Sequence, residues 1–170
     1  MTPMSVEIRS LLRGEGETKS FGRHLGRLLR AGDWVCLTGE LGAGKTTLIS
    51  GVLESIHPGA RVRSPTYVLV EIYGSEPTVI HADLHRLETS ADVSGLGLED
   101  LGARDAVVLV EWADRARSEL PDERLDLWLR YVEGGGREIR VAPRGERWES
   151  LARQGALDRD RWQDALHPSD

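Results

Sequence analysis

The run Gly39-Glu40-Leu41-Gly42-Ala43-Gly44-Lys45-Thr46 restricts the possible folds of this chain more than any other stretch. It satisfies every specified position of the G-x-x-x-x-G-K-[ST] pattern. Glycines here let the backbone take conformations closed to other residues, so several N–H groups can converge on one anion. A lysine and a hydroxyl then follow at the spacing that suits phosphate charge and a divalent cation. The pattern works only between a buried strand and a helix whose positive dipole end faces the anion. Both flanks meet that demand. Residues 34–38 (WVCLT) form a short apolar run with strand character, and Leu48, Ile49, Val52, Leu53 and Ile56 mark a helical stripe stopped by His57-Pro58-Gly59. Gly39, Glu40, Leu41, Gly42, Ala43, Gly44, Lys45, Thr46 and the adjoining Thr47 are therefore read as a nucleotide phosphate cradle, with ATP and Mg²⁺ as its expected ligands.

The remaining pattern predicts an α/β fold. Residues 5–10 are expected to form an edge strand. Thr18 is expected to cap a helix carrying Phe21, Leu25, Leu28 and Leu29, ended by Gly32-Asp33. Residues 67–73 and 78–82 read as two strands joined by Gly74-Ser75-Glu76-Pro77, and residues 84–104 as short helical or irregular chain. The apolar run 106–110 reads as a central strand. Residues 125–132 and 138–141 read as strands around Gly134-Gly135-Gly136, and 147–166 as one or two polar helices. Alternating elements give way to consecutive strands, which predicts a sandwich with a mixed, partly antiparallel central sheet. The whole chain, 1–170, is expected to be one P-loop domain, with its motifs in about 18–120 and further strands and helices in about 125–170.

Bulk properties narrow the function classes. The net charge is −6, which argues against general electrostatic binding to nucleic acid. One cysteine, Cys36, excludes an internal disulfide framework and is expected to be a buried packing residue. No apolar stretch reaches the ~18 residues of a membrane span, so a cytoplasmic protein with no membrane partner is expected. Only Lys19 and Lys45 among the 22 basic residues are lysines, which sets Lys45 apart.

A phosphate cradle needs a carboxylate near the metal. Asp83 follows the strand 78–82 and Glu111 follows 106–110, the strand ends at which α/β sheets place ligand groups. Apolar residues followed by an acid make Glu111 the better metal-site residue, as in a Walker B strand. Between cradle and carboxylates, Ser64-Pro65-Thr66 offers two hydroxyls beside a fixed proline for contact with the γ-phosphate or its metal; a turn into the next strand explains it equally well. Arg137, Arg140, Arg144 and Arg147 form a basic cluster that could touch tRNA or the nucleotide but reads better as a solvated face, and His85 reads as a surface or packing histidine rather than a proton carrier.

Five separated segments, residues 39–47 (GELGAGKTT), 64–67 (SPTY), 81–87 (HADLHRL), 97–99 (GLE) and 111–112 (EW), match one family in order and spacing across about 18–120. The chain resembles the TsaE (YjeE) family, small P-loop ATPases of bacterial tRNA threonylcarbamoyladenosine synthesis. That resemblance implies ATP–Mg²⁺ binding and slow intrinsic hydrolysis. It implies action as a nucleotide switch on a TsaD–TsaB complex, which holds the carbamoyl transfer chemistry and contacts the tRNA. By the same resemblance Lys45, Asp83 and Glu111 are the expected catalytic residues, and Thr46, Glu111 and Asp83 the metal-site residues. Ser64 and Thr66 are the expected switch residues, and Trp112 a packing or partner residue. Where the family more often has aromatic residues, this chain has Ala82 and His85. Two other readings stay open on the motifs alone, a small-molecule or nucleotide kinase and a nucleotide-gated binding module.

Overall fold

The computed structural model describes residues 6–62, 70–102 and 105–163. A seven-stranded sheet runs through it in the order β1-β7-β6-β2-β5-β4-β3. Its strands are β1 (Ile8–Leu12), β2 (Trp34–Gly39), β3 (Val70–Tyr73), β4 (Thr78–Asp83), β5 (Ala106–Glu111), β6 (Arg124–Val132) and β7 (Gly136–Arg144). The inner strands β6, β2, β5 and β4 are mutually parallel, while the pairs β3–β4, β6–β7 and β7–β1 are antiparallel. The sheet is mixed, as expected. Strand β5 is buried at every position, which is why it reads as an unbroken apolar run and does not alternate.

One face of the sheet packs under α1 (Glu15–Leu28) and α2 (Lys45–Ile56). Its core includes Phe21, Leu25, Val35, Leu37, Leu48, Ile49, Val52, Leu109, Leu127 and Ile139. Helix α5 (Glu146–Arg153) adds Trp148 and Ala152 to this layer, and α6 (Arg159–Gln163) lies against α1. The opposite face is covered by α3 (Ser90–Ser94), α4 (Leu98–Gly102) and a kinked 3-10 segment, Ala113–Glu119, around Cys36, Ile80, Val108 and Val110. Cys36 is a buried packing residue, and burial pushes its thiol up to about 12. No helix of the described residues is long and apolar enough to cross a membrane.

Three points differ from the sequence reading. The edge strand is Ile8–Leu12, further along than 5–10. Helix α1 starts after Gly14, so Thr18 lies inside it, with its hydroxyl donating to the Gly14 carbonyl at 2.8 Å. This back-bond to residue i−4 is the other local use of a threonine hydroxyl. The basic residues of β7 and α5 do not form one solvated face. Arg140 stacks on Trp128 at 3.9 Å, Arg144 pairs with Asp126, and Arg147 bonds Asp33 at 2.8 Å.

Candidate functional site

Strand β2 ends at Gly39, the chain loops back, and α2 begins at Lys45 after Gly44 at φ 106°. That left-handed conformation is cheap only for glycine. A Cβ on Gly44 would also lie 2.8 Å from Nε of Arg137. The loop is thus closed on two sides, by its own turn and by a guanidinium from β7. The Tyr131 hydroxyl on β6 adds a third tie, donating to the Gly42 carbonyl.

Lys45 is buried beside this loop. Its ammonium donates to the carbonyls of Gly39 at 2.6 Å and Glu40 at 2.8 Å, and lies 4.4 Å from the centre of the Trp112 ring. Burial holds its pKa below the ordinary lysine range, against the opposing pull of Glu111 and Asp83. Trp112 adopts a left-handed backbone at φ 58°, which costs a bulky residue of order 1 kcal/mol or more. That turn, directly after β5, aims the indole back over the loop, where it also meets the exposed His85 ring at 4.8 Å.

Parallel pairing of β4 with β5 sets Asp83 beside Glu111 at the carboxyl end of the sheet. Glu111 is 3% exposed, and the Thr46 hydroxyl donates to its Oε1 at 3.0 Å. His81 lies 2.9 Å from the same oxygen and is equally buried. Asp83 is half-buried and accepts the His85 N–H at 2.9 Å. These groups share a cavity of about 450 Å³ lined by Lys45, Thr46, Asp83, Glu111, Trp112 and Arg137. Its size is within the range of small-molecule sites.

The structure therefore brings together the residues 39–47 with Asp83 and Glu111. Ser64 and Thr66 lie outside the described residues. Arg137 is the main addition. Sequence reading assigned it to solvent, yet it lines the cavity, and its Nε is buried without a hydrogen-bond partner among the described residues. No local signal marks it, because its place depends on the β6–β7 register that pairs it with Tyr131. Glu15, at the start of α1, also borders the cavity.

A buried lysine, a hydroxyl beside a carboxylate, a helix N-terminus and an orphan guanidinium nitrogen form a donor set that fits a polyphosphate with its cation. Among the described residues, no group of three or more His, Cys, Asp and Glu side chains is arranged to hold a metal by itself.

A family profile for the threonylcarbamoyl adenosine biosynthesis protein TsaE matches residues 12–139. The tRNA threonylcarbamoyladenosine biosynthesis protein TsaE of Streptomyces coelicolor is 40% identical, over 76% of this chain and 93% of the relative. The TsaE protein of Bacillus subtilis is 33% identical, over 81% and 87%. In three dimensions the chain is similar to the crystal structure of Bacillus subtilis YdiB, with a TM-score of 0.74 and 28% identity over 94% of this chain and 99% of that one. The matched segment carries the phosphate loop, both strand-end carboxylates and Arg137, and on this evidence the chain belongs to the TsaE family of threonylcarbamoyl adenosine biosynthesis proteins.

Proposed function

We propose that this chain binds ATP with Mg²⁺, hydrolyses it slowly, and serves cytoplasmic tRNA threonylcarbamoyladenosine synthesis as a nucleotide switch on a TsaD–TsaB complex. The observation that carries the nucleotide part is the Thr46–Glu111 hydrogen bond at 3.0 Å beneath the loop that holds Lys45. A phosphate loop, its metal-binding hydroxyl and a buried strand-end acid then form one connected unit. The family's part in tRNA modification supports the biological setting.

In this reading Lys45 leaves the Gly39 and Glu40 carbonyls and donates to the β- and γ-phosphates. The N–H groups of residues 42–47 cradle the phosphates at the helix N-terminus. Thr46 and Glu111 hold the metal and its water, with Asp83 beside them. Mg²⁺ bound with the nucleotide supplies charge neutralisation at the transferring phosphate. Arg137 faces the same charge from β7. Ser64 and Thr66 would register the γ-phosphate, so that TsaD–TsaB distinguishes the ATP and ADP states.

The test is phosphate release from ATP by the purified chain, alone and with TsaD, TsaB and tRNA. A low basal rate that rises with the partners is expected, with turnover lost in Glu111→Gln while the protein stays folded. A rate indifferent to the partners would detach the ATPase from the complex. Absence of ATP binding would remove the proposal altogether.

A further inference from the structure

His81 is an anomaly in its strand. On β4, Val79, His81 and Asp83 share the face that packs toward α2, and Val79 at 0% exposed belongs to that apolar core. A histidine at 2% exposed in the same row costs free energy that an aliphatic residue would not, unless its polar atoms are used. One of them is. Nε2 lies 2.9 Å from Glu111 Oε1, with both side chains excluded from water. The pairing is diagonal. His81 sits opposite Leu109 in the parallel ladder, and Glu111 is two residues further along on the same face. Only strands in this register allow it.

The carboxylate accepts, so the imidazole carries a hydrogen on Nε2. Nδ1 is buried without a hydrogen-bond partner among the described residues. Glu111 Oε1 then receives two donors, His81 from the sheet and Thr46 from α2. Oε2 is 3.3 Å from the Thr46 hydroxyl, and among the described side-chain bonds it accepts no other donor. Thr46 thus reaches both carboxylate oxygens and His81 holds Oε1 alone, while Glu111 lines the cavity.

We propose that His81 is a positioning residue for the metal-site carboxylate: it fixes the rotamer of Glu111 so that Oε2 faces the cation that accompanies the nucleotide. This rests on the nucleotide-site reading above and extends it to a residue that does not line the cavity. A histidine that donates its N–H to a carboxylate is a recurrent device for orienting groups around metals, and losing such a support typically costs about 10- to 100-fold in metal affinity or activity.

The experiment compares wild type with His81→Leu and His81→Gln. Leucine fills the space without a donor; glutamine returns an N–H near the Nε2 position. ATP affinity is measured with and without Mg²⁺, and phosphate release is followed at saturating ATP. The nucleotide-free protein is labelled with ¹⁵N-histidine and its imidazole nitrogens are read by NMR. His81 is expected to carry hydrogen on Nε2, with that signal shifted in Glu111→Ala. In His81→Leu, Mg²⁺-free ATP affinity should stay within about twofold. The gain in affinity on adding Mg²⁺, and the rate at saturation, should each fall about 10-fold or more, with His81→Gln recovering part of both. A leucine variant with unchanged Mg²⁺ coupling and rate, or an imidazole with no hydrogen on Nε2, overturns the proposal. So does a glutamine variant as impaired as leucine. A wild-type chain whose ATP affinity ignores Mg²⁺ refutes the nucleotide-site reading, and this inference with it.

Discussion

Helices α1 and α2 touch through glycines, and substituting one of them sets two known effects against each other. A Cβ on Gly22 would stand 2.1 Å from the Leu48 carbonyl oxygen and 3.1 Å from the Gly51 Cα. The reciprocal Cβ on Gly51 would stand 2.1 Å from the Lys19 carbonyl oxygen. Alanine is favoured over glycine inside a helix by about 1 kcal/mol. Against this, contact distances of about 3.3 Å require the two helices to separate by roughly 1 Å, and the obstacle is backbone that cannot rotate away. That separation loosens Phe21, Leu25, Leu48, Ile49 and Val52, which share one fully packed cluster. Overpacking of this kind costs typically 1–3 kcal/mol and occasionally more; about 2–4 kcal/mol here, less about 1 kcal/mol returned by alanine, leaves Gly22→Ala about 1–3 kcal/mol less stable. For a chain of this length that lowers Tm by roughly 2–12 °C. Gly16 in the first turn of the same helix is the control, since nothing lies within 4 Å of its added Cβ. Gly16→Ala should leave stability unchanged or raise it by up to about 1 kcal/mol. Thermal unfolding followed by circular dichroism at fixed protein concentration measures both. A Gly22→Ala variant as stable as Gly16→Ala would mean that the helices are not in backbone contact, and the argument would fail.

Arg137→Ala should keep the fold and weaken ATP binding about 5- to 100-fold, the worth of one charge-assisted contact, as read by isothermal titration calorimetry; unchanged affinity would return Arg137 to a packing role. With its pKa near 12, Cys36 should react with a disulfide reagent at pH 8 only in denaturant. Rapid labelling of the native protein would contradict its burial. The depressed pKa of Lys45 sets the sign of a pH effect. Bound phosphates favour the ammonium, so ATP binding takes up a proton between the free and bound pKa values, and affinity should fall as pH rises through the free value. Lys45→Arg, charged throughout, should lack that decline in a titration series at alkaline pH.

Much of this site was legible because its parts are local. The phosphate loop, β2 and α2 occupy one continuous stretch, and the turn, dipole and hydroxyl chemistry there follow from residue type alone. Asp83 and Glu111 were legible as acids ending apolar strands. What escaped depends on which strand lies beside which. His81 reaches Glu111 only because β4 and β5 pair in parallel, with Asp83 aligned to Glu111. Arg137 enters the cavity only because the β6–β7 hairpin folds over the loop to bring Tyr131 and Arg137 against Gly42 and Gly44. Thr18 shows the converse error. Its type suits a cap, but the helix begins three residues earlier and the hydroxyl bonds backward to Gly14.

Lys45 and Thr46 already have partners within the site, and this bears on what the proposed nucleotide binding would be worth. Lys45 makes two charge-assisted bonds to loop carbonyls, and Thr46 donates to Glu111. Such bonds contribute about 1.5–3 kcal/mol each when a charged group is involved, so a phosphate must first match what Lys45 gives up before it adds any net affinity. In return, the loop does not have to be ordered by the ligand. Gly44 is already left-handed, the lysine already desolvated, and Tyr131 already anchors the Gly42 carbonyl. The fold therefore bears the cost of ordering the phosphate site in advance, which is the condition under which few contacts suffice for binding. The same arrangement separates two losses. Removing the Lys45 ammonium frees the Gly39 and Glu40 carbonyls at a loop where Glu40 is open to water, so the fold should tolerate it while phosphate affinity does not. Removing the Glu111 carboxylate strands the buried His81 N–H, while the exposed Thr46 hydroxyl can turn to water. Of the two, the carboxylate is the residue whose loss should cost stability as well as the proposed nucleotide chemistry.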